Sequence, residues 1–415
     1  MAVSTSTPAL DLDWVRARFP ERDPQWTLLD NAGGSFPLRA VVERTAEHML
    51  EYAVQSGGGY PRSLEAVRRM DAGRAAGALV FGCEPEELAF GASATQLAHF
   101  LARSLAPGFA PGDEVIVTNL DHETNIAPWR SLEREGLVVR EWACEPDTLD
   151  LAAERLDELL SERTRLVCFT HCSNITGALQ DAAALCARVR AAGALSVVDG
   201  VAYAPHRRVD VRALGADFYL ASAYKFYGPH MGLLYGRRAS WSSLTSLNHR
   251  FVEPTSMKNM LELGSTSYEL VAGLSAVGAY FCELARHHGA PQDEAPERLL
   301  ERAFEAIAAH EQTLAAPLVD FVESHPRTRM VGPATGASAR RAPTLSFQVD
   351  GMLSSELATR LEEKRVAVRW GHFYAERLIQ ALGLEDSDGV VRASLVHYDA
   401  PEDVERLLSA LDELL

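Results

Sequence analysis

The sequence lacks the long apolar stretches and leader patterns of membrane and exported proteins. No apolar run reaches the roughly 18 residues that a membrane-spanning helix needs. The first residues, MAVSTSTPALDLDW, have neither the basic start nor the apolar core of a signal peptide. We therefore expect a cytoplasmic protein without a membrane partner.

Positive charge is also in short supply. The chain has 40 Lys and Arg residues against 57 Asp and Glu residues, which gives a formal net charge of −17 at pH 7. The acidic residues are spread along the chain and do not form a tail. A protein of this charge is not attracted to polyanions, so we expect no nucleic-acid partner.

Cysteine is sparse and is missing from the last third of the chain. Six cysteines occur, at positions 83, 144, 168, 172, 186 and 282. No two of them form a CxxC pair, and no histidines accompany them at the spacing of a metal site. We expect reduced, mostly buried thiols and no bound metal.

What the sequence does contain is a regular alternation of short apolar runs and helical patterns. Strand-like runs occur at 114–119, 165–171, 195–200 and 218–223, and the segments between them carry apolar residues at helical spacing. This pattern is typical of βαβ units and predicts an α/β fold with a mainly parallel sheet between helices.

The C-terminal part has a different pattern, which predicts a smaller α+β domain. Helical patterns cover about 275–325 and 353–365, strand patterns cover 343–351 and 365–370, and a helix with an acidic first turn closes the chain. The predicted division is an N-terminal segment 1–25 packing on the small domain, a large domain 26–280 and a small domain 281–415.

Four polar features lie where strands of the predicted sheet end. They are Asp199 after LSVVD, Lys225 in ASAYKFYGPHMG, His122 in NLDHETN, and the small residues of GASAT at 91–95, which open a helix. Alone, each is more simply a turn, a solvated lysine or a structural histidine. Together they supply what pyridoxal 5'-phosphate (PLP) needs: an amine, an acid for the ring nitrogen, a flat group for the ring face and an anion site. We therefore predict PLP as the cofactor.

Five motifs in a fixed order extend this prediction to a family. They are GDEVIVTNLDHETNIAPW, THCSNITGALQD, VVDGVAYAPH, SAYKFYGPHMG and ELGSTS, within a match from residue 28 to 408. The sequence resembles the class V aminotransferase superfamily of fold-type I PLP enzymes, and within it the cysteine desulfurase-like group.

The resemblance implies a role for each matching position. Lys225 would bind the cofactor covalently and move protons at the substrate Cα, Asp199 would pair with the ring nitrogen, His122 would stack on the ring, and Asn174 would lie near the phenolic oxygen. Ser93, the Ala94 amide, Ser222 and Tyr224 would hold the phosphate, together with Ser265 from the other subunit of a homodimer. Arg392 would bind the α-carboxylate of a small amino-acid substrate. Asn31 and Gly33 in DNAGGS, and Tyr60 with Arg62 in GGGYPRS, would line the substrate side; Tyr60 and Arg62 fit a turn and a solvated arginine equally well.

Three positions depart from the family pattern. Ala202 stands where desulfurases often have a glutamine, and Tyr224 replaces the histidine before the lysine. Tyr374, in RWGHFYAERL, stands where desulfurases carry the cysteine that becomes a persulfide. A tyrosine cannot form a persulfide, and Cys172 is the only other thiol expected near the cofactor.

These departures shape the predicted reaction. We expect Cα deprotonation followed by carbon–sulfur cleavage or another β-elimination without a persulfide cysteine, with His372 or Tyr374 beside the leaving group or simply packed in the loop. Transamination, epimerisation and desulfuration with a different sulfur acceptor start from the same deprotonation and remain open. A cofactor-retaining scaffold subunit is a further alternative, which the full set of site residues disfavours.

Overall fold

The computed structural model describes residues 9–415, so the first eight residues of the predicted N-terminal segment lie outside the described residues. The helices are α1 Leu12–Arg16, α2 Arg39–Glu51, α3 Pro61–Phe81, α4 Ala94–Leu105, α5 Ala127–Arg130, α6 Ala153–Leu159, α7 Ala182–Ala191, α8 Val211–Leu214, α9 Met257–Leu261, α10 Tyr268–His287, α11 Pro296–Ser324, α12 Ser354–Glu363, α13 Glu376–Ala381 and α14 Pro401–Leu414. The strands are β1 Thr27–Leu28, β2 Leu88–Gly91, β3 Glu114–Thr118, β4 Val138–Trp142, β5 Thr164–Thr170, β6 Leu195–Asp199, β7 Phe218–Ser222, β8 Gly232–Gly236, β9 Thr328–Val331, β10 Thr344–Val349, β11 Val366–Ala367, β12 Arg369–Gly371 and β13 Val390–Ser394.

The large sheet has seven strands in the order β2-β8-β7-β6-β5-β3-β4. Five neighbours, from β7 to β4, run parallel to one another, and β8 runs antiparallel to both of its neighbours. The four apolar runs singled out in the sequence are β3, β5, β6 and β7. The predicted α/β fold with a mainly parallel sheet is confirmed.

Both faces of this sheet are buried, which explains why its strands are continuous apolar runs. Val197 of β6 faces a core formed with α4, whereas its neighbour Val198 faces a core formed with α3, α7 and α10. Successive side chains of a strand point to opposite faces, so a strand buried on both sides needs apolar residues at every position.

A second, antiparallel sheet of four strands has the order β12-β13-β10-β9 and packs against α11, α12 and α14. The N-terminal strand joins this part of the molecule: Thr27 pairs with Val366, and Leu29 lies in the same apolar core. Residue 280, the predicted end of the large domain, lies inside the unbroken helix α10. The domain limits 1–25, 26–280 and 281–415 stay a prediction.

Residues 9–415 contain neither a candidate membrane-spanning helix nor a candidate metal site. No helix in this range combines the length and the apolar character needed to cross a membrane. The same range holds no group of three or more His, Cys, Asp or Glu side chains arranged to bind a metal ion.

Candidate active site

Lys225 and Asp199 meet at the carboxyl edge of the parallel sheet. Strand β6 ends at Asp199, and the neighbouring parallel strand β7 ends at Ser222, three residues before Lys225. A short 3-10 turn, Ala223–Lys225, brings the lysine back over this edge. Ligands of open α/β sheets bind outside the carboxyl ends of the strands, so this edge is the expected place for a site.

Lys225 is unusual because it is buried. The chain has three lysines, and the other two, Lys258 and Lys364, are exposed. Burial, with Arg392 as a positive neighbour, lowers the pKa of Lys225 to about 8, although Asp199 acts in the opposite direction. A sizeable fraction of the amine is therefore neutral, and hence nucleophilic, near neutral pH. Because the chain has only three lysines, the sequence alone could have singled out Lys225 without the motifs.

Asp199 faces Lys225 from the end of β6 and is only 4% exposed. Burial raises the pKa of its carboxyl group, while the N–H of Val201, which donates to Oδ1 at 2.8 Å, and the charge of Lys225 lower it. A buried acid that binds one backbone N–H and faces a lysine suits the binding of a protonated nitrogen heterocycle.

His122 supplies a flat, uncharged wall. Its Nδ1 accepts a hydrogen bond from the N–H of Thr124 at 3.0 Å, which leaves Nε2 as the protonated ring nitrogen. Burial and the positive charges of Lys225 and Arg392 lower the pKa of His122 to about 4, so the ring is neutral near pH 7. A neutral imidazole can stack on an aromatic ligand without repelling a cation beside it.

The N-terminus of α4 forms an anion cradle. Ser93 caps the helix by accepting a hydrogen bond from the N–H of Gln96 at 3.1 Å, and the first-turn amides of Ala94 and Thr95 have no partner within the helix. The cradle lies directly on β8, because a Cβ at Gly232 would stand 2.3 Å from the carbonyl carbon of Ser93. Gly232 was not recognised from the sequence, because its close approach to Ser93 depends on the pairing of β8 with β2.

These groups line one cavity. Its walls contain Ser93, Ala94, Thr95, His122, Thr124, Thr170, Cys172, Asn174, Asp199, Val201, Ala202, Ser222, Tyr224, Lys225 and His230. The predicted cofactor residues of one subunit are all among them. Two pairs were not foreseen: Thr95 and Thr124 share a hydrogen bond of 2.7 Å between their hydroxyls, and the rings of Tyr224 and His230 stack at 4.2 Å. An amine, a buried acid, a flat imidazole and a helix N-terminus around one cavity fit PLP.

A more open cleft continues from this cavity toward the small sheet. It shares His122, Asn174, Tyr224 and Lys225 with the cavity and is otherwise lined by Ala32, Gly33, Arg369, Trp370, Gly371, His372, Phe373, Tyr374 and Arg392. The predicted substrate-side residues Gly33, His372, Tyr374 and Arg392 thus line one cleft. In the sequence, Gly33 lies roughly 340 to 360 residues before the other three.

Arg392 is held in place on three sides. Its Nη1 donates to the carbonyl oxygen of Asn174 at 3.0 Å, its Nη2 donates to Oδ1 of Asp30 at 2.9 Å, and its guanidinium carbon lies 3.8 Å from the ring centroid of Phe373. Side-chain hydrogen bonds of this kind fix the direction of the fork with which arginine binds carboxylates. The partner Asp30 was not recognised from the sequence, because 362 residues separate it from Arg392.

The loop at 372–374 closes one side of the cleft in an unfavourable backbone conformation. Phe373 and Tyr374 have φ angles of 48° and 61°, which non-glycine residues seldom adopt. The loop is held by the side-chain amide of Asn174, which donates to the carbonyl oxygen of Phe373 at 2.9 Å, and by the N–H of Glu123, which donates to that of Tyr374 at 2.7 Å. The Tyr374 ring lies 5.1 Å from the His122 ring and is 69% exposed.

Four predicted residues are not brought into these spaces. The Asn31 side chain donates to the carbonyl oxygen of Ser394 and to Oδ2 of Asp399, so it joins the N-terminal strand to the end of β13 and the segment after it. Tyr60 is 49% exposed just before α3, Arg62 is exposed in the first turn of that helix, and neither lines these spaces. Ser265 lies on an exposed turn in a separate surface cleft, which shares only His230 with the cofactor cavity.

Cys172 is the one cysteine that lines the cavity among the described residues. Burial raises the pKa of its thiol to about 12, and its Sγ donates weakly to the carbonyl oxygen of Gly177 at 3.5 Å. The thiol is therefore protonated at neutral pH and is a poor nucleophile.

Comparison with known proteins gives a consistent result. The family model Aminotransferase class-V matches residues 27–407. The aminotransferase-like protein FGM3 of Gibberella zeae is 39% identical over 419 residues, covering 99% of this chain and 100% of that protein. The cysteine desulfurase-like protein ustD of Aspergillus flavus is 32% identical and covers 98% of this chain and 91% of its own length. The crystal structure of the cysteine desulfurase CsdA (S-sulfonic acid) from Escherichia coli superposes with a TM-score of 0.82 at 26% identity, covering 98% of this chain and 100% of that one.

Proposed function

The chain belongs to the aminotransferase class-V family, and on that premise we propose that it breaks the bond between Cβ and a leaving group, in particular a carbon–sulfur bond, of a small L-amino acid. The protein is a PLP-dependent enzyme, as this family is, and PLP held by Lys225, Asp199 and His122 would supply an electron sink for the charge that develops at Cα. The family membership and the cofactor agree with the sequence analysis, whereas the reaction is our proposal.

Each step of this reaction is assigned to a different residue of the site. Arg392 binds the α-carboxylate and so fixes the orientation of Cα. The neutral amine of Lys225 takes the Cα proton, and the leaving group departs from Cβ with the bonding electron pair. His372 or Tyr374, at the open side of the cleft, gives a proton to the leaving group. The product 2-aminoacrylate then hydrolyses to pyruvate and ammonia.

The observation that carries the proposal is the lack of a usable thiolate beside the cofactor. A persulfide-forming desulfurase needs a thiolate to take the sulfur from the substrate. The chain has no cysteine after Cys282, a tyrosine occupies the loop position at 374, and the thiol of Cys172 is protonated. Without an acceptor, the sulfur leaves as free sulfide.

The test is an incubation of the purified holoenzyme with a panel of amino acids that includes L-cysteine. Pyruvate, ammonia, sulfide, alanine, keto acids and D-amino acids are all measured. From L-cysteine we expect pyruvate, ammonia and sulfide in equal amounts. Alanine together with a trapped protein persulfide would contradict the proposal, and a keto acid with loss of the visible cofactor band, or a D-amino acid, would assign one of the other reactions.

Two variants make this test specific. Cys172→Ala should keep the wild-type product ratio, because the proposal gives that thiol no role. Tyr374→Cys places a thiol in the loop that closes the cleft, and it should divert part of the sulfur into a persulfide and raise the yield of alanine. If Cys172→Ala abolishes sulfide release, Cys172 is a sulfur acceptor and the proposal is wrong.

We further infer that the protein forms a homodimer in which Ser265 contacts the phosphate bound by the other subunit. Ser265 and its neighbour Leu263 are exposed on a turn outside the cofactor cavity, in a cleft that also reaches Gly91 and Ala92 beside the cradle. An exposed leucine next to a serine close to an anion site is consistent with a subunit contact.

A mixed dimer can test this assignment. One chain carries Lys225→Ala and the other carries Ser265→Ala. If Ser265 acts across the dimer, the only lysine-bearing site has an intact serine from its partner and binds PLP with wild-type affinity. If Ser265 acts within its own chain, that same site lacks the serine and binds PLP more weakly, and the inference is wrong.

A further inference from the structure

Asp121 is a buried acid that lies behind the cofactor cavity and is not used in the proposed reaction. It directly precedes His122, between β3 and the 3-10 turn Glu123–Asn125, and its side chain is fully buried. It does not line the cavity itself. A carboxyl group in such a place is costly to bury, so the contacts that it makes are informative.

Its two oxygens accept hydrogen bonds from three separate elements. Oδ1 accepts from the side-chain amide of Asn125 at 2.7 Å, and Oδ2 accepts from the Thr118 hydroxyl and, at 3.1 Å, from the N–H of Thr170. These donors belong to the end of β3, the 3-10 turn and the end of β5. None of them carries a charge, and burial raises the pKa of the Asp121 carboxyl group to about 8, so the group is held by hydrogen bonds and not by an ion pair.

Each of these hydrogen bonds holds an element that carries or adjoins a residue lining the cavity. Thr170 pairs with Asp199 in the register of β5 and β6, so the bond to its N–H fixes the strand beside the acid. The turn held through Asn125 carries His122 and Thr124, and the Thr124 hydroxyl is bonded to that of Thr95 in the cradle. The Asp121 side chain therefore contacts the elements that hold His122, Asp199 and, through Thr124, the N-terminus of α4.

We propose that Asp121 is a positioning residue for the cofactor: its carboxyl group holds the His122 turn and the end of β5 at a fixed separation and so sets the width of the cofactor cavity. An asparagine of the same shape cannot replace it. Asparagine has one acceptor oxygen, and its amide would point its hydrogens at either the Asn125 amide or the Thr170 N–H, which are both donors. One wall of the cavity must then move.

The test compares Asp121→Asn with Asp113→Asn. Asp113 lies just before the opposite end of β3, is 7% exposed, and also accepts a backbone hydrogen bond, from Ala110 at 2.8 Å, so it receives the same chemical change far from the cavity. The measurements are the dissociation constant of PLP from the apoprotein, the position and pH midpoint of the visible band of the bound cofactor, and the melting temperature.

We expect Asp121→Asn to weaken PLP binding at least about tenfold and to move the pH midpoint of the visible band. Asp113→Asn should lower the melting temperature and leave both cofactor readouts at wild-type values. Wild-type PLP affinity and spectrum in Asp121→Asn would overturn the proposal, as would an equal loss of affinity in both variants.

If Asp121→Asn does not fold, Thr118→Val replaces it in the same comparison. This variant keeps the volume of the side chain nearly unchanged and removes the hydroxyl, which donates to the Asp121 carboxyl group and accepts from the backbone N–H groups of Leu120 and Asp121. The expected loss of PLP affinity is smaller, about threefold, in the same direction. A folded Thr118→Val protein with wild-type affinity and spectrum would contradict the proposal.

Discussion

The cofactor cavity and the substrate cleft share a lysine but are built in opposite ways. The cavity is formed by strand ends and a helix N-terminus, and Lys225, Asp199 and Ser222 are at most 8% exposed. The cleft is bounded by an edge strand and a loop, where Trp370 is 46% and Tyr374 is 69% exposed. In our proposal, the buried part provides the chemistry that the family shares, and the exposed part determines which bond of the substrate is broken.

This contrast bears on Tyr374, the one of the three departures from the desulfurase pattern that lies in the exposed loop; the other two, Ala202 and Tyr224, line the cofactor cavity. A change at a buried position must keep the packing of several elements, because interiors are close-packed. A change in the loop at 372–374 affects few neighbours, and loops generally tolerate variation and carry function. In our proposal, a tyrosine at position 374 in place of a nucleophilic cysteine changes the reaction and leaves the cofactor cavity as it is.

The largest effect is expected for a change at Lys225, the residue that the cavity and the cleft share. Lys225→Ala removes the amine that binds the cofactor covalently and takes the Cα proton, so we expect turnover to fall by about 10³-fold or more. The visible band should be lost, and borohydride should no longer fix the cofactor to the protein. Lys364→Ala is the matched control, since Lys364 is exposed and pairs with Glu413 far from the site. An unchanged visible band in Lys225→Ala would exclude Lys225 as the anchoring residue.

The second test separates the cleft from the cavity. Arg392→Lys keeps a positive charge but loses the planar fork, so kcat/KM should fall roughly 10- to 100-fold, mainly through KM, because a hydrogen bond to a charged group contributes about 1.5 to 3 kcal/mol. The affinity for PLP should stay near the wild-type value. If the variant loses PLP and substrate affinity equally, the two regions do not function separately.

The third test perturbs the cavity alone. A Cβ at Gly232 would meet the backbone of Ser93 and Ala94, so Gly232→Ala should push the cradle outward and destabilise the protein by about 1 to 3 kcal/mol. We expect weaker PLP binding and an unchanged KM in the fraction that retains PLP. Gly59→Ala, where a Cβ meets nothing within 4 Å, is the control and should behave as the wild type. Equal PLP affinity in both variants would contradict this account of the cradle.

The fourth test uses pH to measure the coupling between the two regions. The pKa of Lys225 is lowered to about 8, so the neutral amine, which reacts with PLP, becomes scarcer as pH falls below this value. The rate of PLP incorporation into the apoprotein should drop about tenfold per pH unit below the midpoint and level off above it. In Arg392→Gln a positive neighbour is removed, so the midpoint should move to higher pH. A midpoint that does not move would show that Arg392 leaves the lysine unaffected.

The smallest effect is expected for Tyr374→Phe. This change keeps the ring that lies against His122 and removes only the hydroxyl, whose role in protonating the leaving group His372 can share. We expect a loss of less than about threefold in kcat, measured as pyruvate release. A loss of about 100-fold would assign the proton transfer to the Tyr374 hydroxyl and would make the cleft as chemically specialised as the cavity.

Much of the cavity was predictable because it depends on local pattern and on a simple rule of topology. The apolar runs before Asp199 and Lys225 are recognisable in sequence, and the ends of neighbouring parallel strands meet at one edge of the sheet. The cleft was less predictable. Asn31 was predicted to line the substrate side, but its amide joins the N-terminal strand to Asp399. The role of Asp30 as the hydrogen-bond partner of Arg392 was not predicted.

By itself, the sequence determined the family, the cofactor and the position along the chain of the strands whose ends carry the site residues, because these follow from periodicity and from short motifs that each fold as a unit. Only the tertiary structure decided how Asp30 and Phe373 hold Arg392, why Gly232 must lack a side chain, and how Asp121 binds the end of β3, the end of β5 and the turn that carries His122. These contacts join residues as distant as Asp30 and Arg392, and no local pattern encodes them, because they depend on how buried side chains from separate elements satisfy one another's hydrogen bonds.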